Sequence, residues 1–178
     1  MTEYLIDSNI FIEPYQRYYN FDIAPTYWDK FLTMYKNSIL LVDKVKVEIC
    51  KQTDDGKKDE LQKWVEDECL PLNKGISSTS NQEVFNKFRA INKYVKESPY
   101  YKDSSYREWF SNPDKADPWL IAIAAVHGYT IVTFENQNNN LSSKNPTKKE
   151  PRIPDIRKEF DVECIDLFEL MRRENCVI

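Results

Sequence analysis

Four acidic residues border apolar segments of the chain and are the first candidates for chemistry. They are Asp7, Glu48, Asp117 and Glu135. If these carboxylates met in space, they would repel and raise one another's pKa values unless cations lay between them. Oxygen ligands of this kind suit Mg²⁺ or Mn²⁺, and such ions lower the pKa of a bound water and stabilise an in-line displacement at phosphorus. The four acids therefore predict a site for one or two divalent metal ions.

Two of the acids follow segments that we interpret as buried strands. Asp7 comes directly after the apolar run 4–6, and Glu135 ends the segment that begins with the apolar run 129–133. Short apolar runs of this kind are typical of strands in a parallel sheet, which is covered on both faces. Because parallel strands end at the same edge of an open sheet, we expect Asp7 and Glu135 to lie there together.

The other two acids lie on segments with helical patterns. Asp117 and Pro118 are interpreted as the N-cap and first residue of a helix, apolar on nearly all sides, that ends at Gly128 and feeds the second strand. Glu48 lies on an otherwise apolar helix that Asp43 would cap. These patterns predict a three-layer α/β/α sandwich with a central, mainly parallel sheet.

Each acid also has a purely structural explanation, which the sequence leaves open. Asp7 and Asp117 could serve only as helix caps. Glu48 could be a solvated acid on a helix surface, and Glu135 could be an ordinary loop residue.

The composition limits the classes of protein to which the chain could belong. Its 178 residues, of which 41% are hydrophobic, fit one domain with a substantial core. Only three glycines occur, which excludes a long glycine-rich phosphate loop, and one histidine with four scattered cysteines argues against zinc. No signal peptide or membrane-spanning run is evident, so we expect a cytoplasmic protein. The net charge of −4 means that a nucleic acid would have to bind through local basic patches or metal ions.

The rest of the chain is expected to complete a single domain, 1–178. Helical spacing occurs over 23–36, 81–96 and, with a turn at Asp54-Asp55-Gly56, the charged stretch 53–68. We interpret 54–112 as a helical insertion with one short strand near Ile76. The segment 136–151 is polar and is expected to be a surface loop. A strand over 162–165 and a helix that Asp166 begins with Glu169 as a capping box end the chain.

Several of these segments together resemble the PIN domain. The resemblance is carried by YLIDSN at 4–9, the acid Glu48, the segment ADPWLIAIAAVHGYTIVTFE at 116–135 and the final strand and helix. It covers 3–51 and 115–173 and is closest in pattern to larger PIN-like proteins with an ADPWLIA motif and an IPD segment. The region 54–112 matches only as generic helices.

The resemblance implies a Mg²⁺- or Mn²⁺-dependent endoribonuclease, a VapC-like toxin of a toxin–antitoxin pair. It makes RNA the substrate and an antitoxin protein the partner, with a homodimer as a further expectation. By this analogy Asp7 is the central metal ligand, Glu48 and Asp117 complete the first metal site, and Glu135 stands where the family usually has Asp. Hydrolysis would leave a 5′ phosphate and a 3′ hydroxyl.

The resemblance also implies roles for several polar residues around the acids. Asn9 and Thr133 match residues that support the acids by hydrogen bonding, and Ser8 fills a variable position. Asp155, in the IPD segment, is either a further ligand or a helix cap.

Two further groups of residues have both a functional and a structural explanation. The basic residues Lys144, Lys148, Lys149 and Arg152 could bind RNA phosphates or form a solvated loop. The aromatic cluster Tyr15, Tyr18 and Tyr19, in a segment expected to be a loop, could stack on bases or pack against the protein.

Two alternatives of another class remain open from the sequence. The chain could be a catalytically silent PIN-like module that binds RNA or a protein, with Glu135 as the mark of a decayed site. It could also be a phosphoryl-transfer enzyme of another doubly wound fold, although Asp7-Ser8-Asn9 lacks the second acid of an Asp-x-Asp phosphatase.

Overall fold

Five short parallel strands form a central sheet in a computed structural model that describes residues 2–51, 56–72 and 74–178. Their order across the sheet is β3-β2-β1-β4-β5, and every neighbouring pair is parallel. The strands are β1 (Tyr4–Ile6), β2 (Ile39–Val42), β3 (Gly75–Ile76), β4 (Thr130–Val132) and β5 (Cys164–Ile165). The sheet and its helices form the predicted three-layer α/β/α sandwich, which is confirmed. The turn predicted at Asp54-Asp55 lies outside the described residues.

The two central strands are buried throughout, as their apolar sequences predict. Every residue of β1 and β4 is buried, and Ile6 pairs with Val132 at the end of both strands. The residues that follow them, Asp7 and Thr133, therefore leave the sheet side by side at its carboxyl edge.

Helices cover this sheet, within the described residues, at bounds close to those predicted. They are α1 (Asn9–Glu13), α2 (Pro25–Ser38), α3 (Asp43–Ile49), α4 (Glu60–Trp64), α5 (Gln82–Glu97), α6 (Asp103–Ser111), α7 (Ala116–His127), α8 (Ile153–Ile156) and α9 (Leu167–Arg173). Helix α2 contacts β2, whereas α7 contacts β4 and packs against α5. Because α7 leads directly back into β4, it starts near the carboxyl edge of the sheet. Its first turn therefore places Asp117 at that edge.

The aromatic stretch after α1 is helical, which corrects the prediction of a loop over 15–19. A π-helical turn, Pro14–Tyr18, continues directly from α1. Pro14 has a helical φ of −57° and occupies the first position of the new turn. Proline is tolerated at that position because its missing N–H has no helical partner there.

Two predicted helix caps are wrong, that of α3 by one residue and that of α7 by two. Helix α3 begins at Asp43 itself, whose carboxylate accepts hydrogen bonds from the Lys44 N–H at 2.8 Å and from the Ser78 hydroxyl at 3.1 Å. Helix α7 begins at Ala116, so Asp117 lies inside its first turn. Asp117 thus binds partners outside α7, whereas Asp43 binds both an N–H of its own helix and the distant Ser78.

The segments 56–112 and 136–151 meet on the described surface. Strand β3 extends the sheet beside β2, and α5 packs on α7. The backbone of Thr147 donates to the Tyr100 carbonyl at 2.9 Å and accepts from the Lys102 N–H at 3.0 Å. The long polar segment is thus attached to the helical region, while its status as a loop beside an insertion stays a prediction.

No helix in the described part of the chain is long and apolar enough to cross a membrane.

We expect Gly128→Ala to lower the free energy of unfolding by about 1 kcal/mol, because Gly128 ends α7 with a φ of +72° that an L side chain adopts with strain. No atom lies within 4 Å of the added Cβ, so the effect is conformational rather than steric. Urea denaturation measures it. Gly75→Ala is the matched control, since its φ is not in the strained range and its Cβ would meet only a carbonyl oxygen at 3.9 Å. Equal loss in both variants would contradict this explanation.

Candidate active site

Asp7 is the buried centre of a hydrogen-bond network at the carboxyl edge of the sheet. Its backbone N–H donates to the Val132 carbonyl at 3.0 Å, which prolongs the pairing of β1 with β4 by one residue. Its Oδ2 accepts hydrogen bonds from Asn9 Nδ2 at 2.6 Å and from the Thr133 hydroxyl at 2.7 Å. The two residues expected to support the acids thus both hold this carboxylate.

Asn9 and Thr133 also bind each other and the chain beyond β4. Asn9 Nδ2 donates to Thr133 Oγ1 at 2.9 Å, and Asn9 Oδ1 accepts from the Phe134 N–H at 3.1 Å. Thr133 Oγ1 accepts from the Glu135 N–H at 3.1 Å. One network therefore sets the orientation of Asp7 and the start of the segment that carries Glu135.

Glu48 connects three helices and is not a solvated surface acid. Its Oε2 accepts a hydrogen bond from the Ser8 hydroxyl at 2.8 Å, and its Oε1 accepts from the Ala116 N–H at 3.0 Å. The second bond satisfies a free N–H at the start of α7, where the helix dipole also favours a negative charge. Ser8 Oγ lies 3.4 Å from Asp7 Oδ1, so this hydroxyl stands between the two carboxylates.

Asp117 is buried and has two partners that the sequence analysis missed. Its Oδ2 accepts a hydrogen bond from Trp109 Nε1 at 3.1 Å and lies 3.7 Å from Lys115 Nζ. Lys115 is two residues away and could have been suspected from its charge. Trp109 lies on α6, and no pattern in the sequence connects its indole N–H to this acid.

Lys115 is the positive charge closest to the acids in the described structure. Its Nζ lies 2.8 Å from Glu150 Oε2, so one ammonium group bridges Asp117 and an acid of the segment 136–151. Although burial lowers the pKa of Lys115, the charges of Asp117 and Glu150 raise it overall. Lys115 therefore stays positively charged and partly neutralises the site.

Glu135 faces the same edge from the end of the second central segment. Its Oε2 accepts a hydrogen bond from the Ile153 N–H at 2.8 Å, at the start of α8. Burial, followed by the charge of Asp117, raises its pKa to about 7. The longer side chain of Glu, in place of the expected Asp, thus reaches both α8 and the electrostatic field of Asp117.

Burial and the neighbouring charges raise the pKa of two further acids in the site, Asp7 and Asp117. Burial is the largest cause, and the charges of Asp117, Glu135 and Glu48 add to it, so that the pKa of Asp7 rises to about 8 despite the Thr133 hydrogen bond. Burial also raises the pKa of Asp117, against the opposing effects of Lys115 and Trp109. All four predicted acids therefore lie within one electrostatic neighbourhood.

The predicted basic residues are only partly brought to this neighbourhood. Lys148, Lys149 and Arg152 line an open cleft of about 440 Å³ together with Glu135. Arg152 Nη1 also donates to the Asn136 carbonyl at 2.9 Å. Lys144 is exposed and does not line this cleft.

Two of the three tyrosines near α1 pack against the protein. The Tyr19 ring stacks on Tyr27 with centroids 4.3 Å apart, and Tyr15 lies 5.5 Å from Phe21. Only Tyr18 is largely exposed, with 62% of its surface open to solvent. The packing explanation holds for Tyr15 and Tyr19.

Asp155 is held away from the other acids. Its Oδ1 accepts a hydrogen bond from the Asn138 N–H at 2.8 Å, and the charges that act on it are those of Arg152 and Lys158. It lies within α8 rather than at its cap. Its position is therefore not that of a helix cap, and its role as a further metal ligand stays a prediction.

The acids fit a divalent ion in their donor chemistry. Carboxylate oxygens are the ligands that Mg²⁺ and Mn²⁺ prefer, and the pKa values of Asp7 and Glu135, which burial and then the neighbouring acids raise, show that their charged forms are unfavourable without a cation. Among the described residues, however, no three acidic, cysteine or histidine side chains are already placed to hold a metal. The hydrogen bonds of Glu48 and the pairing of Asp117 with Lys115 account for this, because they hold both acids on protein partners.

The parallel sheet, its covering helices and the acidic carboxyl edge define an α/β protein with a PIN-like fold. FitAcB from Neisseria gonorrhoeae aligns with a TM-score of 0.54 and 17% identity, over 91% of this chain and 96% of that one. FitAB bound to the IR36 DNA fragment aligns with a TM-score of 0.52 and 18% identity, over 92% and 94%. At these identities the likeness concerns the fold alone.

The chain belongs to the family described as a domain of unknown function, DUF4411, whose model matches residues 4–178. No curated protein matches the chain.

We expect the metal-free protein to lose stability as the pH rises from about 4 to about 8. The folded state binds protons at Asp7 and Glu135 more tightly than the unfolded chain does, so stability is highest below the unfolded pKa values and falls through the folded ones. Each such group contributes up to about 1.4 kcal/mol per pH unit. Asp7→Asn should reduce this slope and stabilise the protein in EDTA by about 1–3 kcal/mol at pH 8.

Urea denaturation in EDTA at several pH values measures both effects. Asp29→Asn, which changes an exposed acid on α2, is the control and should leave the slope unaltered. If the free energy of unfolding of Asp7→Asn fell with pH as steeply as that of the unsubstituted protein, the pH dependence would not come from Asp7.

We expect Lys115→Gln to lower the thermal midpoint in EDTA and to increase the rise in midpoint that Mn²⁺ produces. Removing the ammonium leaves Asp117 and Glu150 without their cation, and an added ion would then relieve more repulsion. Thermal unfolding with and without Mn²⁺ measures the difference. Lys44→Gln, which removes an ion pair with the exposed Asp114, is the control. A Mn²⁺ effect no larger in Lys115→Gln than in the control would contradict this role.

Proposed function

We propose that this chain is a divalent-metal-dependent endoribonuclease and the toxin of a toxin–antitoxin pair. The observation that carries the proposal is the convergence of Asp7, Glu48, Asp117 and Glu135 at the carboxyl edge of the sheet, where burial, followed by the charges of the other three acids, raises the pKa of Asp7 to about 8. The buried acids outnumber the positive charges near them. Such an arrangement favours the binding of a cation.

Asp7 and Asp117 would hold the metal, with Glu48 and Glu135 as further ligands. In the described residues Asp117 Oδ1 and Glu135 Oε1 accept no hydrogen bond, so each acid has one oxygen anchored and one available. Asn9 and Thr133 keep Asp7 in place. When bound, the ion would supply a water of lowered pKa and stabilise charge on the phosphate.

The chain itself would position the RNA strand. Lys148, Lys149 and Arg152 line the cleft that Glu135 shares, so the phosphates on either side of the cleaved one could bind there. Because the whole chain carries a net charge of −4, these local charges must supply most of the attraction for RNA. No side-chain nucleophile is needed, since water is the attacking group.

The similarity to FitAB supports the toxin–antitoxin part of the proposal. FitAB was determined on a DNA fragment, which accords with a partner that binds DNA. For this chain we propose an antitoxin that covers the acidic edge and blocks it from RNA. A homodimer is proposed on the same analogy.

A catalytically silent RNA- or protein-binding module is the second candidate. It is favoured by the protein partners that already occupy two of the acids: Ser8 and Ala116 bind both oxygens of Glu48, and Lys115 pairs with Asp117. A site of this kind would keep its shape without metal.

Cleavage of unstructured RNA separates the two candidates. We expect the unsubstituted protein to cleave labelled RNA in Mn²⁺ but not in EDTA, and Asp7→Asn to lose at least 10²-fold in rate while it keeps its fold by circular dichroism. Asp29→Asn, matched in chemistry but exposed on α2, should cleave normally. Undiminished cleavage by Asp7→Asn would remove the proposed mechanism, and Mn²⁺ stabilisation without cleavage would favour the silent module.

A further inference from the structure

A second polar cavity lies next to the acidic edge and has no role in the proposed chemistry. Its volume is about 380 Å³, within the range of small-molecule sites. Tyr94, Tyr100 and Tyr101 supply its aromatic lining, and its polar lining includes Asn138, Asp155 and Lys158, whose ammonium group donates to Gln137 Oε1 at 3.1 Å. Aromatic faces opposite hydrogen-bonding groups are the usual means by which proteins bind an unstacked base.

Contacts with other parts of the chain fix the positions of the three tyrosines that line the cavity. The backbone around Tyr100 is bonded to Thr147 on the facing segment at 2.9 Å. Tyr94 packs edge-on against Phe160 with centroids 5.8 Å apart, and Tyr101 is buried. Tyr100 lines the cavity and remains 38% exposed, so part of this side chain is open to solvent.

Asp155 determines which chemical groups the cavity can recognise. Its Oδ1 binds the Asn138 N–H, and within the described residues its Oδ2 accepts no hydrogen bond. A half-buried carboxylate that is not metal-bound accepts hydrogen bonds and donates none. The ligand must therefore present N–H or O–H donors to Asp155, and two neighbouring donors would use both of its oxygens.

The cavity is connected to the acids by a short piece of chain. Asn138 lies three residues after Glu135, and three residues span at most about 10 Å. Asp155 lies two residues after Ile153, whose N–H binds Glu135. A strand with a phosphate at the acids could therefore place a neighbouring base in the cavity.

We propose that this cavity binds a guanine base of the RNA strand that the acidic site cleaves, an inference that rests on the proposed function. Guanine presents its N1–H and 2-amino group side by side, which matches the two oxygens of Asp155. Adenine and cytosine present one amino donor beside an acceptor nitrogen, and uracil presents one N–H between two carbonyls that Asp155 would repel. The cavity thus gives the nuclease a preference for cleavage near guanine.

Binding of free nucleosides to the full chain tests the cavity without requiring cleavage. We expect guanosine to bind about tenfold more tightly than inosine, which lacks the 2-amino donor, and more tightly still than adenosine. Asp155→Asn should lower guanosine affinity at least tenfold and leave adenosine affinity unchanged, while its remaining oxygen can still accept from the Asn138 N–H.

Tyr100→Leu should weaken the binding of all three nucleosides, and Tyr100→Phe should preserve it. Calorimetry measures these affinities, and equal binding of guanosine and inosine would overturn the assignment.

Sequencing of cleavage products keeps this inference separate from the proposed function. We expect the unsubstituted protein to cleave at a constant distance from guanine. In Asp155→Asn the cleavage positions should no longer depend on where guanine lies. Cleavage without a guanine preference would overturn the cavity assignment and leave the nuclease intact. Selective guanosine binding without any RNA cleavage would overturn the proposed nuclease and with it the assignment of the base to an RNA strand.

Discussion

The burial of several acidic side chains at one edge of the sheet is the constraint on which the rest of this structure depends. Burial alone disfavours the charge of Asp7, and three other acids add to the effect. The fold keeps these groups together because each is bound by a donor from another element: Asn9 and Thr133 for Asp7, Trp109 for Asp117, and the Ile153 N–H for Glu135. Burying several acids together lowers the free energy of unfolding, and functional sites commonly carry such a cost in a few side chains.

The donors come from elements that are far apart in the sequence, which makes the site dependent on the whole fold. Glu48 on α3 binds the start of α7 and the hydroxyl of Ser8, so one carboxylate joins the first, third and seventh helices. Lys115 extends the network to Glu150 on the polar segment that faces the site. A change in the position of this segment would alter the charge at Asp117, because the same ammonium serves both acids. In the proposed function, binding of a metal ion at Asp117 would therefore be coupled to the placement of this segment.

The polar segment that separates β4 from α8 serves two neighbouring surfaces. Toward the acids it presents Lys148, Lys149 and Arg152, whose charges suit phosphates. On its other side it meets Tyr100 and carries Asn138, which fixes Asp155. The position of the segment is set by backbone hydrogen bonds of Thr147 and by the hydrogen bond from the Asn138 N–H to Asp155. In the proposed function, the cleft beside Glu135 would bind phosphate and the cavity beside Asp155 would bind a base.

The sequence by itself determined the sheet, because apolar runs such as 4–6 and 129–133 have no stable place except between layers of helix. It also determined that Asp7 and Thr133 leave the sheet together, since that follows from the parallel pairing of two strands. Only the tertiary structure decided the partners of the acids. The Trp109 indole, the Lys115 bridge and the contact of Asp155 with Asn138 depend on packing between distant segments, and local patterns do not encode such contacts. The misplaced start of α7 has the same origin, because Glu48 supplies from another helix the acceptor that a local cap would have provided.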